Sequence, residues 1–175
     1  MATSSPWLSY LFIDTQLGLA ILAFCEDRVF FLQFGTNSHA LLDDLQSSYP
    51  HSTLVAAHGT QSDACRVWVQ HLINHGTAES TFRTEQVGTS FQQTVWNFLC
   101  QIPPGAVYSY EDVAKGIGRP LAVRAVARAC AQNSLAIAVP CHRVVRKNGD
   151  LGGYRWGIER KRWLLENEKR RGLLP

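Results

Sequence analysis

Residues 137–157 read IAVPCHRVVRKNGDLGGYRWG. A Cys stands beside a His, behind a Pro and ahead of basic residues and glycines. Pro140 has no N–H and fixes its own φ, which stiffens the approach to Cys141. The apolar run at 135–139 reads as strand-like, so Cys141 is expected where a buried segment emerges into a Gly-rich, basic loop. There His142 and the surrounding cations would lower the thiol pKa and raise the thiolate fraction. The chemistry available to such a group is nucleophilic attack. Taken by itself, one Cys next to a His also fits an inert buried thiol.

The elements that must position this loop fall into two halves. The chain has 175 residues, 46% of them hydrophobic, enough for one compact unit or two small domains. Residues 1–87 carry three Lys+Arg against eight Asp+Glu, a net charge of −5; residues 88–175 carry fourteen against six, a net charge of +8. The basic half is the one suited to a polyanion such as nucleic acid, unless it is only a solvated face. In the acidic half, LSYLFIDT, GLAILAFCE and RVFFLQFG read as three strands of an antiparallel meander. Two helices follow, one with Ser38 as N-cap and one capped by Ser62 or Asp63 and closed by Gly76. The fold class is α+β, with a small scaffold domain at 1–87 and a mainly helical domain at 88–175.

In the basic half, Phe91, Val95, Trp96, Leu99 and Ile102 share one helical face, which stops at Pro103–Pro104–Gly105. Residues 109–117, capped by Ser109, and 120–131, with Pro120 near the start, have helix-turn-helix form. The second helix is rich in Ala and carries Arg124 and Arg128 at i, i+4. Such a slim helix can approach DNA closely, or it can be a packed core helix. A last helix runs through GIERKRWLLENEKRRG.

Five Cys, at 25, 65, 100, 130 and 141, form no C-x-x-C pair. That usage suits a reducing compartment. The N-terminus makes a poor signal peptide and no apolar run nears the ~20 residues that span a bilayer. The expectation is a soluble protein, cytoplasmic or, in a eukaryote, nuclear, with no membrane partner. His71 and His75 stand at i, i+4 without a third ligand, so no metal and no other cofactor is expected.

The motifs PCHRVV, GYRWG, SY, RAV and FQQTVW together resemble the O6-alkylguanine-DNA alkyltransferases. The resemblance covers nearly all of 88–170, and residues 9–35 are similar to that family's N-terminal strands. It implies that Cys141 accepts the alkyl group, once and irreversibly. His142 and Glu168 would relay the thiol proton through a water. Tyr110 would help rotate the nucleotide, Arg124 would fill the gap it leaves, and Asn133 would brace the turn. Tyr154 would shape the guanine pocket, with Val144 and Arg155 as its other substrate contacts. Charge alone assigns phosphate contacts to Arg119 and Lys147. Leu121 departs from the family pattern, which often has a basic or small residue there. The implied partner is double-stranded DNA holding O6-alkylguanine, with O4-alkylthymine a second candidate, bound by a monomer that has the option of cooperativity. A helix-turn-helix lesion sensor without chemistry would lack Cys141. A Cys–His hydrolase would leave the basic half unexplained.

Overall fold

A computed structural model describes residues 7–77 and 81–171. Strands β1 (Trp7–Thr15), β2 (Gly18–Cys25) and β3 (Arg28–Gly35) form the expected meander. β4 (Thr53–Ala56) adds to β1 and β5 (Arg83–Thr84) to β3, both in parallel, giving the order β4-β1-β2-β3-β5. The two central strands read as continuous apolar runs because both of their faces are buried. Ile21, Ala23 and Phe31 face helix α1 (Ser38–Ser48) through its Leu41 and Leu45. Ala20, Leu22, Phe24 and Leu32 face the opposite way, toward helix α2 (Thr60–His75) and the basic half. A register shift at Ala23/Phe24 lets β3 keep bulky residues on both faces.

Two caps differ from expectation. Asn37, not Ser38, caps α1, its side chain accepting from the N–H groups of His39 and Ala40. An amide carbonyl reaches two orphan donors at once from that position. Helix α2 begins at Thr60 behind Gly59, ahead of Ser62 and Asp63, and has no side-chain cap; Ser62 is buried. Gly76 closes α2 in the left-handed region, as expected.

Helix α3 (Ser90–Leu99) opens on a capping box between Thr89 and Gln92. β6 (Tyr108–Ser109) leads into α4 (Tyr110–Gly116), capped by Ser109, and α5 (Val123–Ala131) follows. Pro120 lies in the turn before α5 rather than in its first turn. A 3₁₀ turn at Cys141–Arg143 runs into β7 (Val144–Val145), which pairs with β6 in parallel. Helix α6 (Ile158–Arg170) closes the described chain. Among the described residues no helix is long and apolar enough to cross a membrane.

The apolar core is continuous across the two halves. Leu22, Leu32, Trp68 and Leu72 belong to the same cluster as Val95, Leu99, Leu135, Ile137, Cys141 and Trp156. Backbone bonds reinforce the contact. Leu32 N–H donates to Ser134 (2.9 Å) and Ala136 N–H to Leu32 (2.8 Å), one parallel bridge between β3 and the segment that leads to Cys141.

Candidate active site

The run at 135–139 is not a strand. After the single bridge at Leu135 it turns, and Ile137 sits at φ 65 with Ala138 N–H donating to Ala136 (2.7 Å). That is a tight three-residue turn of the rare hand, strained for a β-branched residue. A second three-residue turn centres on Pro140 (φ −81, ψ 60), where Cys141 N–H donates to Val139 (2.8 Å). Apolar periodicity could not reveal this, because a buried turn and a buried strand have the same composition.

Asn133 supplies what these turns lack. Its Oδ1 accepts from Leu135 N–H (2.9 Å), and its Nδ2 donates to Val139 O (2.8 Å) and Leu135 O (3.2 Å). The same Nδ2 lies 3.3 Å from Cys141 Sγ. One fully buried amide therefore winds the loop and points a donor at the thiol.

Cys141 is only 5% exposed, and burial pushes its thiol up to about 11. The amide of Asn133 and the charge of Lys161 pull it part of the way back. This corrects the expectation of a depressed pKa. His142 does not act on the thiol as a cation: it is fully buried, and burial lowers its pKa against the pull of Glu168.

His142 Nε2 is 2.9 Å from Glu168 Oε1. Burial alone would raise Glu168, but the hydrogen bonds and charges of His142 and Arg143 outweigh it and bring the carboxyl down to about 2. An ionised carboxylate only accepts, so Nε2 carries the proton and donates. His142 Nδ1 is left as a buried acceptor with no partner among the described residues.

Arg143, the last residue of PCHR, has a role that its position in a basic stretch does not reveal. It is 2% exposed and binds Glu168 through Nε (3.2 Å to Oε2) and Nη2 (2.9 Å to Oε1). It also donates to Ile102 O and Gly76 O, both at 2.6 Å. Gly105 N–H completes the carboxylate (2.7 Å). Gly76 answers two demands, since its φ is +71 and a Cβ there would come within 2.8 Å of both Arg143 and Glu168.

Lys161 is the second residue the sequence reading passed over. Fully buried, it donates to Val144 O (2.6 Å), to Leu151 O, and at 3.5 Å to Gly153 O. It ties β7 to the loop carrying Tyr154, and burial lowers its pKa. Its spacing held a signal: Lys161, Leu164 and Glu168 recur at i, i+3, i+7, the face of a helix that turns inward.

Beside Cys141 lies a cavity of about 240 Å³ lined by Tyr110, Ala127, Cys130, Tyr154 and Arg155. Burial raises the phenol of Tyr110 to about 12 and lifts that of Tyr154 well above its ordinary value, so both are donors at neutral pH. Tyr154 Oη is buried without a partner among the described residues. Val144 is fully buried in β7 and does not line this cavity. Arg119 and Arg124 are exposed, on the turn before α5 and on α5 itself. Lys147 is exposed but paired with Glu111 at 2.8 Å.

Residues 90–170 match the family described as 6-O-methylguanine DNA methyltransferase, DNA binding domain. The chain is 41% identical over 171 residues to the bifunctional transcriptional activator/DNA repair enzyme Ada of Escherichia coli, covering 92% of this chain and 46% of that protein. It is 54% identical over 90 residues to the inducible methylated-DNA–protein-cysteine methyltransferase of Bacillus subtilis, covering 51% of this chain and 50% of that one. The chain thus spans about half the length of the curated relatives it matches. Among solved structures, Mycobacterium tuberculosis OGT in complex with DNA superposes with a TM-score of 0.74 at 34% identity, over 93% of this chain and 94% of that one.

Proposed function

Because this chain belongs to the O6-alkylguanine-DNA alkyltransferase family, we propose that it repairs O6-alkylguanine in duplex DNA by moving the alkyl group onto Cys141. The observation that carries this reading is the run of contacts from Asn133 to the Cys141 thiol, with the His142–Glu168–Arg143 cluster on the next two residues.

Guanine O6 lies inside the duplex, so the nucleotide must leave the stack to reach a thiol that is itself buried. The cavity beside Cys141 would receive the base, and Arg124, exposed on α5, would occupy the gap. Arg119 and Lys147 would meet phosphates, Lys147 by leaving Glu111. Sulfur attacks the alkyl carbon as the bond from that carbon to O6 breaks. The electron pair goes to the guanine oxygen, and a Tyr hydroxyl in the cavity can donate to the charge developing on the base.

A thiol near 11 is mostly protonated at neutral pH, so attack needs a base. His142 is that base. Its Nδ1 has no partner among the described residues, and its Nε2 proton is held by a carboxylate that stabilises the imidazolium as it forms. A water between sulfur and Nδ1 can carry the proton. The elevated thiol pKa keeps the resting protein unreactive, and its proton leaves only through this route.

The product is a thioether with no carbonyl for water to attack, so each molecule reacts once. Residues 1–87 act as the scaffold and 88–175 as the DNA-binding and acceptor unit, working as a monomer. Intact-mass measurement after incubation with an O6-methylguanine duplex tests the reading. A gain of one methyl on the Cys141 peptide, with repaired guanine stopping at one equivalent, is expected. Multiple turnovers, or methyl on another Cys, would overturn it.

A further inference from the structure

The turn between α4 and α5 is firmly built, yet it exposes an apolar side chain. Gly118 at φ 70 donates to Lys115 O (2.9 Å), and Arg119 N–H donates to Ala114 O (2.8 Å), the pair of bonds that caps α4. Ala122 N–H then returns to Arg119 O (2.8 Å), closing a four-residue turn with Pro120 and Leu121 at its corner. Pro120 presets its φ, and the corner is held from both sides. Leu121 stands there at 98% exposure, the most exposed of the large hydrophobic residues described. Among the described residues its side chain packs against almost nothing.

Its neighbourhood specifies the occupant. Arg119, Arg124 and Arg128 are exposed on the same turn and helix, and Ala125 is exposed between the last two. This patch is cationic and slim, suited to the phosphates and groove of a duplex. A Leu in the middle of it offers nothing to a phosphate. It does match the apolar carbons of deoxyribose that lie between phosphates. Leu121 is three residues before Arg124, so the two sides of the contact would reach adjacent nucleotides.

Resting on the repair reading above, we propose that Leu121 is an apolar wedge that packs against deoxyribose beside the extruded nucleotide, while Arg124 takes the vacated place in the stack. The wedge adds a part of DNA affinity that salt does not screen. It also holds the strand displaced while the base is out.

Leu121→Ala and Leu121→Lys test this, with duplex affinity measured over a series of salt concentrations, transfer rate from an O6-methylguanine duplex, and melting temperature. Leu121→Ala is expected to lose roughly tenfold in duplex affinity, the order of a buried Leu side chain. Its transfer rate at subsaturating duplex falls with it. The salt slope stays as in the wild type, because no phosphate contact is lost. The melting temperature stays as well, since an exposed side chain contributes little to stability. Leu121→Lys is expected to steepen the salt slope by about one and to remain weaker than wild type at high salt. Wild-type affinity in Leu121→Ala, or equal affinity of Leu121→Lys at high salt, would overturn the wedge. If the wild-type protein itself bound no duplex, the repair reading would fall, and the wedge with it.

Discussion

The strand sheet and the Cys141 loop are built on opposite terms. The interior of β2 and β3 includes Ala20, Ile21, Leu22, Ala23, Phe24, Val29, Phe30, Phe31 and Leu32, all at or near zero exposure, with Gln33 the only buried polar side chain in those strands. Around Cys141 the buried residues include Asn133, His142, Arg143, Lys161 and Glu168. Apolar packing is tolerant of direction, whereas Asn133, Arg143, Lys161 and Glu168 are each fixed by two or more bonds and His142 by one to Glu168. The sheet supplies stability that no particular angle depends on, and the polar cluster turns part of it into one orientation of a thiol and an imidazole. The two regions share a core, so the cluster need not be stable alone.

The sharpest way to separate them is Cys141→Ser. Transfer should fall to background, while duplex binding and the melting temperature stay near wild type, because a hydroxyl fills the same space but is far less nucleophilic. Gel-shift and mass measurements on one preparation would check both.

Arg143→Met is next. It leaves Glu168 buried without its main cation and should cost about 3–5 kcal/mol, with transfer lost as well. Leu22→Ala, on the sheet face toward the site, should cost a similar ~2–5 kcal/mol. Its transfer rate, assayed well below its melting temperature, should stay within a few-fold of wild type. Denaturant titrations paired with single-turnover rates would show the contrast. Equal loss of transfer in both variants would break it. Adding Glu168→Gln to Arg143→Met should restore stability but not transfer, since the neutral amide cannot support a charged His142.

Asn133→Ala should cost about 1–3 kcal/mol, because Leu135 N–H would stay buried and unpaired and Val139 O would keep only the Cys141 N–H. Its effect on transfer should exceed its effect on stability when set against Leu22→Ala, since the same side chain faces the sulfur.

The smallest effect near neutrality is that of pH. His142 has its pKa lowered by burial, so the unfolded chain binds the proton more readily. Stability is therefore full above the ordinary His value of about 6.5 and declines as pH falls below it. Glu168, down at about 2 in the fold against an ordinary 4.5, adds a second loss as pH falls from 4.5 toward 2. Melting curves from pH 8 to pH 3 should bend twice. Glu168→Gln should remove the lower bend, and a wild-type curve flat through pH 5 would contradict the buried neutral imidazole.

Much of this was legible in the chain. The meander followed from apolar runs broken at Gln16–Gly18 and Glu26–Arg28, and the helix pair from Ser109, the glycines and the Ala-rich run. Cys141, His142, Glu168 and Asn133 came from motif resemblance, and the structure brings all four together. Arg143 and Lys161 did not come, because a basic residue in a basic stretch gives no sign of whether it faces water or a carboxylate. The approach to Cys141 was misread as strand for a related reason: Leu135–Val139 is as apolar as a strand, and only the bonds from Asn133 and Leu32 make it turn.

Local physics in the sequence therefore settled the three-stranded meander, the helix pair with its Ser109 cap, which half is basic and which Cys is set apart by its neighbours. Tertiary structure alone decided the protonation states. The thiol near 11, the neutral His142 with its proton on Nε2 and the ionised Glu168 arise from burial and from partners distant in sequence, Lys161 for Cys141 and Glu168 for His142 and Arg143. A pKa depends on the dielectric and on charges within a few ångströms, and sequence distance carries neither.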